Sequence, residues 1–457
     1  MTGSRDLHGT LATRRGFLAA AAGGIALAGL GSAAPAAPAP LRTKARIVIV
    51  GAGAGGTGIA NRLASRLDGA SITIVDGRKE HWYQPGFTLI AAGLKPAGYA
   101  VSTTASWLPK SVNWIGDYAI KIDPVAQCVG TMGGINVPYD YLIVATGLTL
   151  NWAGVEGFEL ERVGKDGIGA VYAGPDYAEA TWRAMDAFTD KGGTALFGRP
   201  ATEMKCAGAP LKYAFLTDDY LRRKGTRDRS QIIYAAHNKT LFGVPIVNEK
   251  VKLLFRERGV DVRWDHELKC IDPGAKTATY EIPASQSIKN GVIVETPAVR
   301  QTIDYDFINV IPPMTAPRVV RQSGLSWEDK WVDQGWIEVD PSTLRHLRFP
   351  NVFGIGDING VPKGKTAASV KWHIPVVEDH LVAALQDKEG TAVFNGYTSC
   401  PLITRIGRAM LIEFDYQDNL VPSFPGVIAP LEELWISWLM KETALKPTYN
   451  AMLRGKA

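Results

Sequence analysis

The chain has 457 residues, of which 46% are hydrophobic and 21% are charged, and its formal net charge is +5. These values are typical of soluble globular proteins and exclude a disordered or fibrous chain, and the length allows two or three domains. The small charge and the lack of a basic run argue against nucleic acid as a partner. Four cysteines are too few for a disulfide scaffold, so each must be interpreted singly.

Residues 1–40 have the pattern of an export signal. Arg14 and Arg15 precede an apolar run over residues 17–30, and small residues with prolines follow over residues 31–40. This order is typical of a secretory signal, and paired arginines before Gly-Phe-Leu favour the twin-arginine route. A transmembrane helix is the alternative, but a span needs about 20 predominantly apolar residues. The sequence therefore predicts export to the periplasm, with peripheral attachment to the inner membrane as a further option.

A dinucleotide-binding segment comes next in the chain. The apolar, β-branched run Arg46–Val50 predicts a buried parallel strand, and a helical pattern and a second strand, Ser71–Val75, follow it. Three glycines precede the helix at fingerprint spacing: Gly51, Gly53 and Gly56. Such glycines allow a tight turn, a close approach of a pyrophosphate to the helix N-terminus, and helix–strand packing. Asp76 closes the second strand, where an acid accepts hydrogen bonds from a ribose.

Two later segments indicate FAD rather than a free nicotinamide. Residues 139–147 form a predicted strand that ends in Ala-Thr-Gly, with Thr146 and Gly147 at its end, as in two-dinucleotide-binding flavoproteins. Residues 351–357 resemble the second FAD motif of that superfamily, in which the acid, here Asp357, contacts the ribityl chain. The order of the motifs predicts FAD and an FAD domain that is interrupted by an inserted domain.

The predicted inserted domain lacks the residues that NADH would need. Its first strand, which begins at Gly193, runs into Arg199 and Pro200 instead of a second glycine fingerprint. A proline and bulky side chains then occupy the turn where a pyrophosphate would approach. We expect a Rossmann-like shape without the cofactor, so the electron donor is not NADH and a type II NADH dehydrogenase is disfavoured.

Cys206 and Cys400 are candidate redox residues. Cys206 precedes a predicted helix in which Pro210 suits the first turn, and the helix N-terminus with Lys205 and Lys212 favours a thiolate. Cys400 lies far along the chain, so sequence physics alone does not show that the two cysteines meet. A buried free cysteine and a structural disulfide are the ordinary alternatives.

Several motifs resemble those of sulfide:quinone oxidoreductases, in the form found in animal mitochondria. The two cysteine segments are the most specific: residues 205–210 (Lys-Cys-Ala-Gly-Ala-Pro) and 397–404 (Tyr-Thr-Ser-Cys-Pro-Leu-Ile-Thr). Five further segments share the resemblance: residues 81–85, 312–314, 349–357, 365–368 and 413–416. The resemblance runs from about Arg46 to Gly455.

That resemblance implies a redox-active bridge between Cys206 and Cys400, a disulfide or a trisulfide, beside FAD. Hydrosulfide attacks Cys400 and leaves it a persulfide, and Cys206 is released as a thiolate that donates to the flavin. A thiol or a second sulfide takes the sulfane sulfur, and reduced FAD passes two electrons to a quinone. Lys212 is the candidate for tuning the cysteines, and Lys365 for a charge near the flavin. A solvated surface charge is the alternative for either lysine.

The predicted fold class is α/β. It comprises two Rossmann-like three-layer domains, the second inserted in the first and without an NADH fingerprint, and a C-terminal amphipathic helical segment. The predicted boundaries are 1–40 for the signal, 44–155 and 306–385 for the FAD domain, 156–305 for the insert and 386–457 for the C-terminal segment. No metal ligand is predicted, and the predicted cofactor-binding residues are Gly51, Gly53, Gly56, Asp76, Gln84, Thr146, Gly147, Asp357 and Lys365.

An amphipathic helix is predicted near the C-terminus. Its apolar residues recur at helical spacing: Leu431, Leu434, Trp435, Trp438 and Leu439. The opposite residues are polar: Glu432, Glu433, Ser437 and Lys441. A helix with a Trp-rich face can lie in a membrane surface and help to reach quinone, or it can pack over the flavin domain.

Two other functions are compatible with an exported flavoprotein that has paired cysteines. One is the flavoprotein subunit of a flavocytochrome c sulfide dehydrogenase, whose haem would lie on another chain because Cys-x-x-Cys-His is absent here. The other is a non-catalytic flavin-binding or sulfur-carrier protein. Cys128 and Cys270 suit ordinary strand positions and receive no role, although some bacterial relatives use a third cysteine.

Overall fold

The structure is a computed structural model that describes residues 39–289 and 292–456. The folded architecture belongs to a unit that runs from Leu41 to Ala457. The predicted export signal, apart from Ala39 and Pro40, lies outside the described residues.

The first sheet has five parallel strands drawn from two separate parts of the chain. Their spatial order is Val352–Gly354, Tyr141–Val144, Arg46–Val50, Ser71–Val75 and Asn113–Ile115. Both faces of this sheet are covered, so that Ile47 and Ile49 have no exposed surface. The helix Ala54–Arg66 contacts two of the strands and packs against the helices Ala367–Ala384 and Leu445–Leu453. The strand Val352–Gly354 thus returns to a sheet that the chain began about 300 residues earlier.

The second sheet also has five parallel strands. Their spatial order is Ile168–Gly169, Phe307–Asn309, Gly193–Gly198, Ser230–Ala236 and Val260–Trp264. Alternate residues of the central strand face two different layers, because side chains alternate across a strand. Phe197 packs with the core of the helices Ala209–Arg223 and Pro245–Glu257, whereas Leu196 packs with a separate antiparallel sheet. Phe307–Asn309 lies beyond residue 305, where the predicted insert ends.

Smaller sheets flank these two. The antiparallel sheet on the second domain contains Glu267–Asp272, Thr277–Ile282 and Val299–Asp304, and a hairpin of Ser285–Lys289 with Val292–Thr296 extends beside it. A meander near the first sheet contains Ala119–Asp123, Cys128–Thr131 and Asn136–Pro138. Three two-stranded pairs complete the strands outside the C-terminal segment: Leu41–Arg42 with Leu67–Asp68, Glu80–Trp82 with Val101–Thr103, and Thr149–Leu150 with Met314–Thr315.

The remaining helices connect the sheets. The α-helix Pro175–Lys191 begins at a proline and packs against Ala209–Arg223, and two short α-helices are Phe87–Ile90 and Arg318–Arg321. The 3₁₀ turns are Gln84–Gly86, Ala97–Ala100, Thr104–Ser106, Trp152–Gly154, Leu160–Arg162 and Arg227–Arg229.

The C-terminal segment forms a hairpin and a helical end. The hairpin pairs Thr398–Arg405 with Arg408–Phe414. The helical end has three parts: the α-helix Trp435–Leu439, the π-helical turn Met440–Ala444 and the α-helix Leu445–Leu453. Within the described residues, no helix is both long and apolar enough to cross a membrane.

The predicted polar face of the C-terminal helix is wrong, although the helix itself is present. Ser437 and Lys441 are buried, whereas Trp435 of the predicted apolar face is 45% exposed. Leu431 and Leu434 precede the helix, so they cannot define one of its faces. The π-helical turn then shifts the phase of the side chains, because its hydrogen bonds span five residues instead of four.

Candidate active site

The glycine turn of the first sheet leaves open space at a helix N-terminus. Gly51 has φ +104°, and a Cβ there would lie 2.5 Å from the Ala145 carbonyl oxygen. A Cβ on Gly56 would lie 1.8 Å from the Gly51 carbonyl oxygen, so only glycine fits this close packing. Gly53 caps the helix Ala54–Arg66, and a Cβ there would meet nothing nearer than the Arg78 guanidinium, at 3.8 Å. The free N–H groups of this helix can therefore approach a phosphate closely.

Asp76 follows the strand Ser71–Val75 beside this turn, and hydrogen bonds from nearby residues fix its carboxylate. Its carboxylate accepts hydrogen bonds from the Ala52 amide at 2.7 Å, the Arg78 amide at 2.8 Å and the Arg78 guanidinium at 2.9 Å. Burial opposes the charge, but the bonds from Arg78 and Ala52 keep the pKa of Asp76 below its ordinary value. The carboxylate is thus ionised and oriented toward the glycine turn. Its predicted contact with a ribose stays a prediction, and Arg78 is a neighbour that the sequence did not single out.

Two more predicted cofactor residues lie at the same edge of the first sheet. Thr146 and Gly147 follow the strand Tyr141–Val144, and a Cβ on Gly147, where φ is +66°, would meet no atom within 4 Å. Asp357 follows the neighbouring strand, is half-buried, and has a carboxylate with no hydrogen bond to any residue that the structure describes. Open space, a free carboxylate and a helix N-terminus together fit FAD, which needs phosphate, ribityl and ring contacts.

Lys365 connects this edge to the cysteines. Its ammonium donates to the carbonyls of Asp357 at 2.7 Å and Asn359 at 2.8 Å and lies 3.8 Å from the centre of the Trp336 ring. Burial lowers the pKa of Lys365 to about 8. Its own carbonyl accepts the N–H of Cys206 at 2.9 Å. Lys365 is therefore a buried structural cation and not a solvated surface charge.

Cys206 and Cys400 meet, although they come from distant parts of the chain. Cys206 lies in the loop before the helix Ala209–Arg223, and Cys400 lies in the strand Thr398–Arg405, which contacts that helix. Both cysteines are free, and their side chains are close enough that each shifts the pKa of the other. A Cβ on Gly208 would lie 2.4 Å from the Cys400 sulfur, so the lack of a side chain at Gly208 makes room for that sulfur.

Two buried lysines face the cysteine pair. Lys212 is 4% exposed and its ammonium lies 3.6 Å from the Cys206 sulfur. The hydrogen bond from Cys400 and the charges of Lys212 and Lys441 hold the pKa of the Cys206 thiol well below its usual value, against the effect of burial. The same hydrogen bond and burial raise the pKa of Cys400 well above its usual value. These shifts favour the thiolate form of Cys206 and the protonated form of Cys400.

Lys441 was missed because the sequence pattern assigned it to a solvent-facing surface. The residue is 4% exposed, and its ammonium donates to the Pro85 carbonyl at 2.6 Å. Burial and the nearby charge of Lys212 lower the pKa of Lys441 to about 7. A lysine in a mostly apolar helical stretch is the one sequence signal that could have drawn attention to it.

The other predicted residues are placed as follows. Gln84 is exposed, and its side-chain oxygen accepts the ammonium of Lys205 at 2.7 Å. Cys128 lies in the meander, opposite Pro138. Cys270 lies in the antiparallel sheet of the second domain, and burial raises the pKa of its thiol. Neither of these two cysteines has a hydrogen bond to Cys206 or Cys400.

Comparisons with known proteins agree with this site and fold. Residues 45–178 match the family described as pyridine nucleotide-disulphide oxidoreductase. The mitochondrial sulfide:quinone oxidoreductase of Mus musculus is 34% identical over 401 residues, which cover 88% of this chain and 84% of that protein. The Dictyostelium discoideum protein of the same name is 32% identical over 403 residues, with the same coverage. The X-ray structure of the Aquifex aeolicus sulfide:quinone oxidoreductase has a TM-score of 0.72 at 21% identity and covers 90% of this chain and 92% of that one.

The two parallel sheets, the discontinuous first domain and the cofactor edge define an FAD-dependent, two-dinucleotide-binding flavoenzyme. The predicted α/β fold class and the predicted cofactor are thereby confirmed. Within this class, the chain belongs to the sulfide:quinone oxidoreductase family, as its motifs predict.

Proposed function

We propose that this chain oxidises sulfide to sulfane sulfur at Cys206 and Cys400 and passes two electrons through FAD to a quinone. The observation that carries the proposal is the asymmetry of the pair. The Lys212 ammonium lies 3.6 Å from the Cys206 sulfur and favours its thiolate, whereas burial favours the protonated form of Cys400. The names of the relatives, which specify sulfide and quinone, support this pair of substrates.

The asymmetry sets the direction of attack on an oxidised Cys206–Cys400 bridge. Hydrosulfide forms a bond to the Cys400 sulfur, the bridge bond breaks, and its electron pair leaves on Cys206. A thiol of lower pKa leaves faster, and the ammonium of Lys212, 3.6 Å away, stabilises the charge that forms on Cys206. Cys400 is left as a persulfide.

The second half of the cycle restores the bridge. A thiol or a second sulfide takes the outer sulfur from Cys400, which becomes a thiolate. Bound FAD would supply the acceptor for the two electrons released when the two thiolates close the bridge, and would donate them to quinone. The residues that would hold FAD are those of the first-sheet edge: Gly51, Gly53, Gly56, Asp76, Thr146, Gly147, Asp357 and Lys365.

Anaerobic mixing tests this proposal. Sulfide is expected to bleach the flavin of the purified protein, and a soluble quinone is expected to restore the oxidised spectrum. Cys206→Ser and Cys400→Ser should each abolish the bleaching, whereas Cys270→Ser should leave it unchanged. Bleaching without reoxidation by quinone would favour a cytochrome partner, and a flavin that sulfide leaves untouched would contradict the proposed substrate.

We also propose that the surface around Trp435 contacts the membrane that holds the quinone. Trp435 is 45% exposed, and Arg405 and Arg408 at the neighbouring hairpin turn form no ion pair with any described residue. An exposed tryptophan beside unpaired arginines suits an interface of apolar chains and anionic headgroups. The helix of Trp435 leads directly into the turn that carries Lys441 to the cysteines.

Flotation with anionic phospholipid vesicles tests this surface. Trp435→Ala and the double variant Arg405→Gln/Arg408→Gln should reduce the bound fraction. Trp372→Ala is the matched control, because Trp372 is 47% exposed on a different helix. The Trp435 surface would not be the membrane contact if Trp372→Ala reduced the vesicle-bound fraction equally. The same conclusion would follow if neither Trp435→Ala nor the double arginine variant reduced it.

Export by the twin-arginine route is a further proposal, supported by Arg14, Arg15 and the apolar run behind them. Arg14→Lys/Arg15→Lys should abolish export of the full chain, and Arg5→Lys should not. Export of the double-lysine variant at the normal level would exclude this route.

A further inference from the structure

Cys206 has an unusual backbone conformation. Its φ is +47°, in the left-handed region that residues with a side chain rarely adopt. Such a conformation costs free energy and persists only where the surrounding contacts impose it. The contacts of this one peptide segment therefore decide where the Cys206 sulfur lies.

Hydrogen bonds hold the peptide groups on both sides of Cys206. Its N–H donates to the Lys365 carbonyl at 2.9 Å, and its carbonyl accepts the Ala209 N–H at 2.8 Å. The same carbonyl accepts the Tyr172 hydroxyl at 3.0 Å. That hydroxyl also lies 3.2 Å from the Lys205 carbonyl oxygen, so one side chain spans two consecutive carbonyls of the loop.

Both outer anchors of the loop are rigid. Tyr172 is buried just after the strand Ile168–Gly169 of the second sheet, where it packs with Met204 and Met314. Lys365 is fixed at the first-sheet edge by the two carbonyls that its ammonium binds. The cysteine loop continues from the strand Gly193–Gly198 of the second sheet, and it is held in addition by Tyr172 and, from the first sheet, by Lys365.

We propose that Tyr172 is a positioning residue, whose hydroxyl holds the Lys205 and Cys206 carbonyls so that the Cys206 sulfur stays beside Lys212 and Cys400. The charged and titratable groups that face this sulfur are Lys205, Lys212, Lys441, Asp357 and Cys400. Tyr172 acts through the backbone, and its hydroxyl stays protonated because burial raises its pKa well above the usual value. The kinetic consequence rests on the proposed function, whereas the consequence for the Cys206 thiol does not.

The test compares Tyr172→Phe with Tyr213→Phe in the reduced holoenzyme. Tyr213 is the matched control, because its buried hydroxyl donates to the Ala91 carbonyl at 2.9 Å, away from the cysteine loop. Alkylation of Cys206 by iodoacetamide is followed by mass spectrometry as a function of pH. Tyr172→Phe should raise the apparent pKa of Cys206 toward the ordinary value of about 8.5, and Tyr213→Phe should leave it low.

Half-reactions supply a second readout. Flavin reduction by sulfide should slow by about 100-fold in Tyr172→Phe, because a misplaced reacting group costs roughly that much. Reoxidation by quinone should be unchanged, since it does not involve the loop. Thermal unfolding of both variants checks that each remains folded after the loss of a buried hydroxyl.

Two results would overturn the proposal. One is a Tyr172→Phe variant whose Cys206 titrates as in the wild type, and the other is an equal shift in both tyrosine variants. If sulfide never reduces the wild-type flavin, the proposed function fails, but the alkylation result still decides the role of Tyr172.

Discussion

The two parallel sheets have turns at equivalent positions of the fold, after the strands Arg46–Val50 and Gly193–Gly198, but the residues in these turns differ. The first turn has Gly53 at a helix N-terminus, with nothing within 3.8 Å of the position of its missing side chain. The second turn follows Gly193–Gly198 with Arg199 and Pro200, so that a bulky side chain and a proline stand where the first turn has glycines.

Under the proposed function, this difference places cofactor binding at the first turn and sulfur chemistry after the second. At the first edge the backbone itself is the binding surface, so side chains must be absent. At the second edge, where the backbone is not exposed to a phosphate, the chain continues into the loop that carries Cys206 to Lys212. Sulfur chemistry needs side chains with charge, and a turn that is free of phosphate contacts can supply them.

The largest effect is expected at the first turn. Gly53→Leu fills the space in front of the helix N-terminus, so the purified protein should carry almost no flavin absorbance. Gly243→Leu is the control, because a Cβ on Gly243 meets no atom within 4 Å and this glycine precedes the helix Pro245–Glu257 of the second domain. Full flavin content in Gly53→Leu would show that the cofactor lies elsewhere.

A change at the cysteine loop should spare the cofactor and impair the chemistry. In Gly208→Ala the new methyl group overlaps the Cys400 sulfur and displaces it from Cys206. Sulfide-dependent flavin reduction should fall by roughly 100-fold, at unchanged flavin content. Gly98→Ala, whose Cβ meets nothing within 4 Å, is the control. A normal rate in Gly208→Ala would mean that the contact between the cysteines is not needed.

Removing the charge of Lys441 should slow sulfide-dependent flavin reduction less than the changes above, and the effect should depend on pH. Because burial lowers its pKa to about 7, its ammonium form predominates below pH 7 and is lost as the pH rises above that value. The rate of sulfide-dependent flavin reduction should therefore decline as the pH rises through about 7. Other titrating groups add their own effects to the same pH profile. Lys441→Met should lower the rate by about tenfold below pH 7 and remove this limb of the profile.

Two further variants make the Lys441 test specific. Lys441→Arg keeps its charge at all accessible pH values, so the decline near pH 7 should disappear while the rate stays high. Lys446→Met is the control, because Lys446 bonds the Tyr99 carbonyl and has no role at the cysteines. If the pH profile of flavin reduction were unchanged in Lys441→Met, Lys441 would have no role in the reaction.

The smallest effect is expected from NADH. Added NADH should neither bleach the flavin nor raise the melting temperature, because a ligand stabilises a protein only if it binds the native state. Added FAD should raise the melting temperature of partly flavin-depleted protein, which is the positive control. Flavin reduction by NADH would show that Arg199 and Pro200 do not close the second turn.

The parts of this molecule that depend on local patterns could be predicted from the sequence. The strands Arg46–Val50 and Ser71–Val75 are apolar runs with clear ends, and the glycine turn between them has a spacing that few other structures require. The cysteine segments were recognisable as motifs. Their contact was not, because it depends on how the hairpin of Cys400 packs against a helix that lies far away in the sequence.

The residues that were missed depend on tertiary structure or on irregular backbone. Lys441 lies in a π-helical turn, where the periodicity of an α-helix misplaces side chains. Tyr172 acts on carbonyls more than 30 positions along the chain, and no spacing rule links such residues. Burial of Lys212 and Lys365 is likewise a product of packing, because most lysines with the same neighbours in sequence are solvated.

The two cysteines are proposed to have different roles, Cys400 as the sulfur carrier and Cys206 as the leaving group, and one measurement tests this assignment most directly. The oxidised protein is mixed anaerobically with one equivalent of sulfide and quenched with an alkylating reagent, and both cysteine peptides are analysed by mass spectrometry. We predict a persulfide on Cys400 and an alkylated thiol without extra sulfur on Cys206. A persulfide on Cys206, with Cys400 carrying the simple alkyl group, would contradict the assignment of leaving group and sulfur carrier.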